Sequence, residues 1–168
     1  TMVAGNLIGA YAVPVNWHAT GEEAGYMLMD SNAKAIVVHA DLLPGIADQM
    51  PDGVPVLVVA TSPEIAAAYG VLPDLCDVPN GATDFEAWRD GFAPWTEAPP
   101  AERGSMIYTS GTTGNPKGVR REPSTPERQA RIGELAMRAF GIGTNGVAAM
   151  TGPMYHSAPN AYARLSMA

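Results

Sequence analysis

Hydrophobic and polar positions along the chain follow two patterns, which predict strands alternating with helices. Unbroken apolar runs at residues 35–38 and 56–59 are typical of strands that are covered on both faces. The helical pattern places Ala24, Met27 and Leu28 on one face of a helix, three and four positions apart. This alternation predicts an α/β fold with a mainly parallel sheet and helical crossovers.

Local start signals define the predicted helices. Thr20 and Glu23 have the spacing of a capping box, and Ser62 precedes Pro63 as a helix cap precedes a first helical residue. Similar signals predict a short helix that begins at Thr83 and another helix that begins at Ser124. A weaker helix is expected over residues 41–50. The helix after Ser124 ends at the first of two glycines, and its apolar stripe consists of Ile132, Leu135, Ala136, Ala139 and Phe140.

Three further strands complete the predicted sheet, at residues 10–15, 105–109 and 147–150. Residues 70–100 are rich in proline and turn residues, which predicts a loop-rich excursion rather than a domain boundary. The chain is therefore interpreted as one domain, or part of one.

Composition excludes several classes of protein. With 168 residues of which 46% are hydrophobic, the chain is long and apolar enough to fold. Its single cysteine, Cys76, excludes an internal disulfide framework and a cysteine-rich zinc site, and the expected location is the cytoplasm. The sequence shows neither an apolar run near the roughly 18 residues of a membrane span nor a signal peptide.

Charge is distributed unevenly. The net charge is −7, yet residues 101–168 carry eight basic and four acidic side chains, whereas residues 1–100 carry two basic and thirteen acidic ones. An acidic chain argues against nucleic-acid binding. The basic excess begins beside a glycine-rich loop, which indicates a small polyanion as ligand.

That loop, residues 110–118, combines three glycines, three hydroxyl side chains and one lysine directly after a predicted strand. Glycines allow backbone N–H groups to turn inward and form a nest for an anion. The hydroxyls of Ser110, Thr112 and Thr113 add donors, and Lys117 adds a mobile positive charge. Because Gly118 follows the lysine and the glycine spacing differs, the loop is neither a Walker loop nor a dinucleotide fingerprint. It predicts phosphate binding.

Residues 108–118, Tyr-Thr-Ser-Gly-Thr-Thr-Gly-Asn-Pro-Lys-Gly, resemble the phosphate-binding signature of the adenylate-forming superfamily. This superfamily includes acyl-CoA synthetases, luciferases and adenylation domains. Residues 9–38 are similar to an early segment of that family, and residues 153–159 are similar to its next motif. The form of the latter motif most resembles bacterial fatty acyl-CoA synthetases.

The resemblance implies a two-step reaction. A carboxylate, here a fatty acid, would react with ATP to give an acyl-adenylate and pyrophosphate, and coenzyme A would then displace AMP. The implied phosphate ligands are Thr109, Ser110, Gly111, Thr112, Thr113, Gly114 and Lys117, with Mg2+ accompanying ATP near Thr113 and no other metal. The implied acyl and adenylate pocket consists of Met154, Tyr155 and His156.

The sequence also departs from the family. Residues 120–123, Arg-Arg-Glu-Pro, stand where the family has an apolar stretch and a histidine. The family's adenine, ribose, hinge and lid residues have no counterpart in these 168 residues. We therefore expect part of a large N-terminal domain that lacks the C-terminal lid, is inactive alone, and associates into homo-oligomers through unpaired sheet edges.

Two alternatives stay open at this point. The chain could belong to an adenylation domain that loads a carrier protein. It could also be a non-catalytic module that binds a nucleotide or phosphate.

Overall fold

The computed structural model describes residues 2–98, 100, 103–109, 115–142 and 146–167. Its helices and strands follow in chain order: α1 (Met2–Leu7), α2 (Gly21–Asp30), β1 (Ile36–His39), α3 (Leu43–Ile46), β2 (Val56–Val59), α4 (Pro63–Tyr69), β3 (Thr83–Asp84), α5 (Phe85–Asp90), β4 (Tyr108–Thr109), β5 (Lys117–Gly118), α6 (Pro126–Phe140) and α7 (Ser157–Ser166). Short 3-10 helices lie at Ala47–Gln49 and Pro73–Leu75.

The chain divides into two compact units whose charges are opposite. Residues 16–97 form one unit, called here the acidic unit, and residues 1–15 with 98–168 form the other, the basic unit. The acidic unit contains thirteen acidic and two basic residues, and the basic unit contains four acidic and eight basic residues. The uneven charge seen in the sequence therefore coincides with the structural division.

The acidic unit is built on a three-stranded parallel sheet in the order β1-β2-β3. Ile36 is paired with Val56, and Leu57 is paired with Thr83. Val58 is only 1% exposed at the centre of a core that it shares with Leu28, Ile36, Val38 and Ala40. The predicted apolar runs are thus buried strands, and the predicted α/β class with parallel pairing is confirmed.

Local capping explains where the first helices begin. The Thr20 side chain accepts a hydrogen bond from Glu23 N, and the Glu23 carboxylate accepts one from Thr20 N, which completes the predicted capping box. Ser62 caps α4, which starts at Pro63 as predicted. The weaker helix expected over residues 41–50 is divided into α3 and the 3-10 helix Ala47–Gln49.

The two other predicted caps are wrong by one residue. Asp84, the last residue of β3, caps α5 by accepting a hydrogen bond from Ala87 N at 2.7 Å, so the helix begins at Phe85. Thr125, rather than Ser124, caps α6, since its hydroxyl accepts from Arg128 N. The left-handed Gly141, with φ of 67°, ends α6 at the predicted position.

Three predicted strands of the basic unit are shorter than expected or are not formed. Residues 10–15 make a single parallel bridge, from Ala12 to Ser105. The strand expected over 105–109 is reduced to that bridge and β4, which pairs with β5 in an antiparallel ribbon. Residues 147–150 are exposed and irregular. The predicted apolar stripe of α6 is also exposed, with Leu135 at 57%.

Among the described residues, no helix has the length and apolar character needed to cross a bilayer.

Candidate active site

The predicted phosphate loop is held between two short strands. Thr109 at the end of β4 lies opposite Lys117 at the start of β5, and Tyr108 lies opposite Gly118. Five of the predicted ligands, Ser110, Gly111, Thr112, Thr113 and Gly114, lie outside the described residues. The hairpin therefore brings the two ends of the predicted loop together and pairs Thr109 with Lys117.

The two faces of this hairpin have different surroundings. Directly opposed residues of an antiparallel pair place their side chains on the same face, so Thr109 and Lys117 share one face and both are exposed. On the other face, the Tyr108 ring lies against Gly118, and Met106 is only 4% exposed. The packed face anchors the ribbon and leaves the Thr109–Lys117 face open to a ligand.

Glycine is required at position 118 by this packing. A Cβ atom placed there would lie 2.2 Å from Met106 Cε and 2.7 Å from Tyr108 Cζ. Both separations are far below van der Waals contact, and the tyrosine ring has less freedom to move than the methionine terminus. The Gly118 position thus fixes how closely β4 and β5 approach below the loop.

We expect Gly118→Ala to lower the free energy of unfolding by about 1–3 kcal/mol, the usual cost of overpacking a well-filled site. A fall in the thermal midpoint measures this. Gly133→Ala in α6 is the matched control, because nothing lies within 4 Å of a Cβ placed there. That change should stabilise the helix by up to about 1 kcal/mol. Equal midpoints for both variants would show that the Gly118 contact has no energetic role.

The predicted pocket residues Met154, Tyr155 and His156 form a turn that leads into α7. His156 N donates to Pro153 O at 3.1 Å, and the rings of Tyr155 and His156 lie 4.7 Å apart. The His156 side chain is exposed and stands at the N-cap of α7 without capping it. Its imidazole is consequently accessible to a ligand.

A buried amide fixes this turn. Asn160 is only 3% exposed, and its Nδ2 donates to Met154 O at 2.9 Å. Its backbone N–H also donates to His156 O at 3.1 Å. Asn160 therefore holds both ends of the Met154–His156 segment on the first turn of α7. Sequence reasoning missed this role, although an asparagine four residues after the motif histidine was a visible signal.

An apolar cavity of about 380 Å³ lies next to this turn, entirely within the basic unit. Phe140 and Tyr162 form part of its wall, with their rings nearly perpendicular at a centroid distance of 5.7 Å. The described residues that line it are Phe140, Ala149, Met150, Thr151, Gly152, Ala158, Pro159 and Tyr162. The predicted Met154, Tyr155 and His156 are not in this set, but Gly152 and Ala158 flank them on either side.

The cavity was not predicted from the sequence. The sequence pattern predicts Phe140 in the apolar stripe of a helix and residues 147–150 in a strand. In the structure both segments instead contribute to the cavity wall. Within the described residues there is no group of three or more His, Cys, Asp or Glu side chains that could hold a metal ion.

Comparison with known proteins gives a family match over nearly the whole chain. The sequence profile described as AMP-binding enzyme matches residues 1–163. Medium-chain acyl-CoA ligase Mig of Mycobacterium avium is 37% identical over 123 residues, which cover 67% of this chain and 20% of that protein. Fatty acid--[acyl-carrier-protein] ligase ScoC of Streptomyces coeruleorubidus is 32% identical over 115 residues, which cover 66% of this chain and 18% of that protein.

A solved structure supports the fold independently. A proposed long-chain-fatty-acid CoA ligase from Rhodopseudomonas palustris CGA009 matches 97% of this chain and 37% of its own chain, with a TM-score of 0.67 and 17% sequence identity. The present chain spans about a fifth of the length of the two curated relatives. Its fold is similar to that of part of this solved structure.

Proposed function

Because the chain belongs to the AMP-binding enzyme family, we propose that the longer protein containing it, called here the complete ligase, is an ATP-dependent acid–thiol ligase. A carboxylate oxygen attacks the α-phosphorus of ATP, and the bond to the β-phosphate breaks to release pyrophosphate. The thiol of coenzyme A then attacks the acyl carbonyl, loses its proton, and displaces AMP. The observation that carries this proposal is the family match together with the paired Thr109 and Lys117 at the base of the loop.

The Thr109–Lys117 face of the hairpin is the proposed site for the β- and γ-phosphates. The Thr109 hydroxyl donates a hydrogen bond, and the Lys117 ammonium supplies a charge that follows the pyrophosphate as it leaves. Ser110, Gly111, Thr112, Thr113 and Gly114 complete the proposed set. Thr113 is the residue that would hold the Mg2+ accompanying ATP, and this ion would supply neutralisation of the phosphate charge.

The apolar cavity is the proposed site for the acyl chain. Its wall consists largely of aromatic, aliphatic and proline side chains, which favours a fatty acid over a polar carboxylate. The exposed His156 lies on the turn beside it, where the carboxylate end of the substrate would stand. Met154 and Tyr155 border this position, and Asn160 holds the turn in place.

The acceptor thiol is proposed to be that of coenzyme A. Of the two relatives described above, one is an acyl-CoA ligase and the other an acyl-carrier-protein ligase. An enzyme that loads a carrier protein is thus the second candidate, and the 32% sequence identity to ScoC supports this candidate. Both candidates use the same first half-reaction, the formation of the acyl-adenylate. We propose that the complete ligase is located in the cytoplasm.

The experiment combines the complete ligase with ATP, a panel of fatty acids, and either coenzyme A or a holo-carrier protein. Mass spectrometry of the thioester identifies the acceptor. We expect acyl-CoA from a fatty acid and no thioester from the 168-residue chain alone, which spans only about a fifth of its relatives. Thioester on the carrier alone would replace the first candidate with the second.

Size-exclusion chromatography with light scattering tests the predicted homo-oligomer.

A further inference from the structure

Helix α7 contacts the rest of the basic unit through two faces. One face carries Pro159 and Tyr162, which line the apolar cavity. The other face carries Asn160 and Ala163, which are only 3% and 7% exposed. Asparagine is a weak helix former, and a buried amide costs free energy unless it is hydrogen-bonded. The burial of Asn160 in this helix therefore depends on specific hydrogen bonds of its amide group.

The amide nitrogen of Asn160 has two acceptors. Nδ2 donates to Met154 O at 2.9 Å and, more weakly, to Met2 Sδ at 3.9 Å. An amide NH2 group carries two hydrogens, so both contacts can form at the same time. Met2 begins α1, and Met154 lies in the turn before α7. Asn160 thus joins that turn to two helices of the basic unit.

A second contact holds the same turn from the side of the cavity. A Cβ placed on Gly152 would lie 2.8 Å from Pro159 Cγ, so the Pro159 ring lies directly against the Gly152 backbone. Pro159 and Asn160 are consecutive residues of α7. Through them the turn is fixed to the helix at two points, Gly152 on the cavity side and Met154 on the buried side.

The position of the His156 imidazole depends on this turn. Its ring lies 4.7 Å from the Tyr155 ring, and in the part of the chain that the structure describes it forms no hydrogen bond. The backbone of the residue is bonded at both ends, since His156 N donates to Pro153 O and Asn160 N donates to His156 O. The backbone of the turn, rather than a partner of the imidazole, therefore decides where the imidazole lies.

We propose that Asn160 is a positioning residue that fixes His156 relative to the apolar cavity, an inference that rests on the proposed acid–thiol ligase function. The cavity would hold the chain of a fatty acid against Pro159 and Tyr162, and His156 would stand beside its carboxylate. Because Asn160 bonds the turn to the cavity-lining helix, it sets the position of one part of the site relative to the other. A fatty acid is held at both parts and requires this alignment, whereas acetate has no chain and can follow the imidazole.

Asn160→Ala in the complete ligase tests this inference, with carboxylate-dependent ATP–pyrophosphate exchange as the measurement. We expect kcat/KM for a medium-chain fatty acid to fall about tenfold to a hundredfold, the scale of misplacing a reacting group by about 1 Å. The value for acetate and KM for ATP should both stay within about twofold of wild type. Asn160→Leu, which occupies a similar volume but has no donor, should show the same pattern.

Ala163→Gly is the matched control, because Ala163 lies on the same buried face of α7 and its side chain forms no hydrogen bond. Glycine weakens a helix, so the thermal midpoint should fall while the ratio of fatty acid to acetate activity keeps its wild-type value. A second readout uses the His156→Ala background. There Asn160→Ala should add less than about a twofold loss, since no imidazole remains to be positioned.

Several results would overturn the inference. Equal losses with the fatty acid and acetate in both Asn160 variants would show a purely structural role, and wild-type kinetics would show no role. A full additional loss in the His156→Ala background would also contradict it. Failure of both variants to fold would assign Asn160 to the fold instead of the site. In each case, exchange by the wild-type enzyme still supports the proposed function, whereas absence of exchange contradicts that function itself.

Discussion

Lys117→Ala should lower carboxylate-dependent ATP–pyrophosphate exchange by the complete ligase about tenfold to a hundredfold. The lysine is exposed and paired with Thr109 at the base of the loop, where its charge can follow the departing pyrophosphate. A hydrogen bond to a charged group contributes about 1.5–3 kcal/mol, which corresponds to this range of rates. Exchange of labelled pyrophosphate into ATP, at saturating carboxylate, measures the effect.

Lys34→Ala is the matched control, because Lys34 and Lys117 are the two lysines of the sequence. Lys34 lies in the acidic unit, where its Nζ donates to Asn32 Oδ1 at 3.0 Å. Its removal should leave exchange within about twofold of wild type, as expected for a surface substitution. Exchange that is equally fast in Lys117→Ala and Lys34→Ala would remove Lys117 from the phosphate site.

The second large effect is expected from filling the apolar cavity. Ala149 lies in its wall, and Ala149→Trp introduces an indole into a space of about 380 Å³. Excluding three or four methylenes of a fatty acid from the cavity costs about 0.8 kcal/mol each, so kcat/KM for a medium-chain fatty acid should fall about a hundredfold. The same variant should react normally with acetate, whose single methyl group needs none of that space.

Ala148→Trp provides the control for this experiment. Ala148 precedes Ala149 and is also exposed, but it is not among the residues that line the cavity. The control should retain wild-type kcat/KM with both substrates. If the two variants show the same ratio of fatty acid to acetate activity, the acyl chain binds elsewhere.

Features decided by neighbouring residues could be predicted from the sequence. The capping boxes and proline positions identified the starts of α2 and α4 because the donors and acceptors involved are within three residues of each other. The start of α6 was wrong by one residue where two local rules conflicted. Pro126 prefers the first helical position, which makes Thr125 the cap, whereas the capping-box spacing had favoured Ser124.

Features that depend on distant partners could not be predicted in this way. Residues 10–15 have strand-like composition, but a strand also requires a paired neighbour, and here only Ala12 bridges to Ser105. The cavity depends on Phe140, Gly152 and Tyr162 coming together from three segments. The contacts of Arg103 and Arg120 with the Tyr11 ring likewise join residues more than ninety positions apart. Sequence patterns carry little information about such meetings.

Transfer of labelled oxygen from the carboxylate tests the central claim most directly. When a carboxylate attacks the α-phosphorus and the acyl group later leaves, one carboxylate oxygen remains on AMP. With a fatty acid labelled with oxygen-18, the complete ligase should therefore produce AMP that contains one labelled oxygen. Label in inorganic phosphate, or ADP as the nucleotide product, would instead show attack on the γ-phosphorus and contradict adenylate formation.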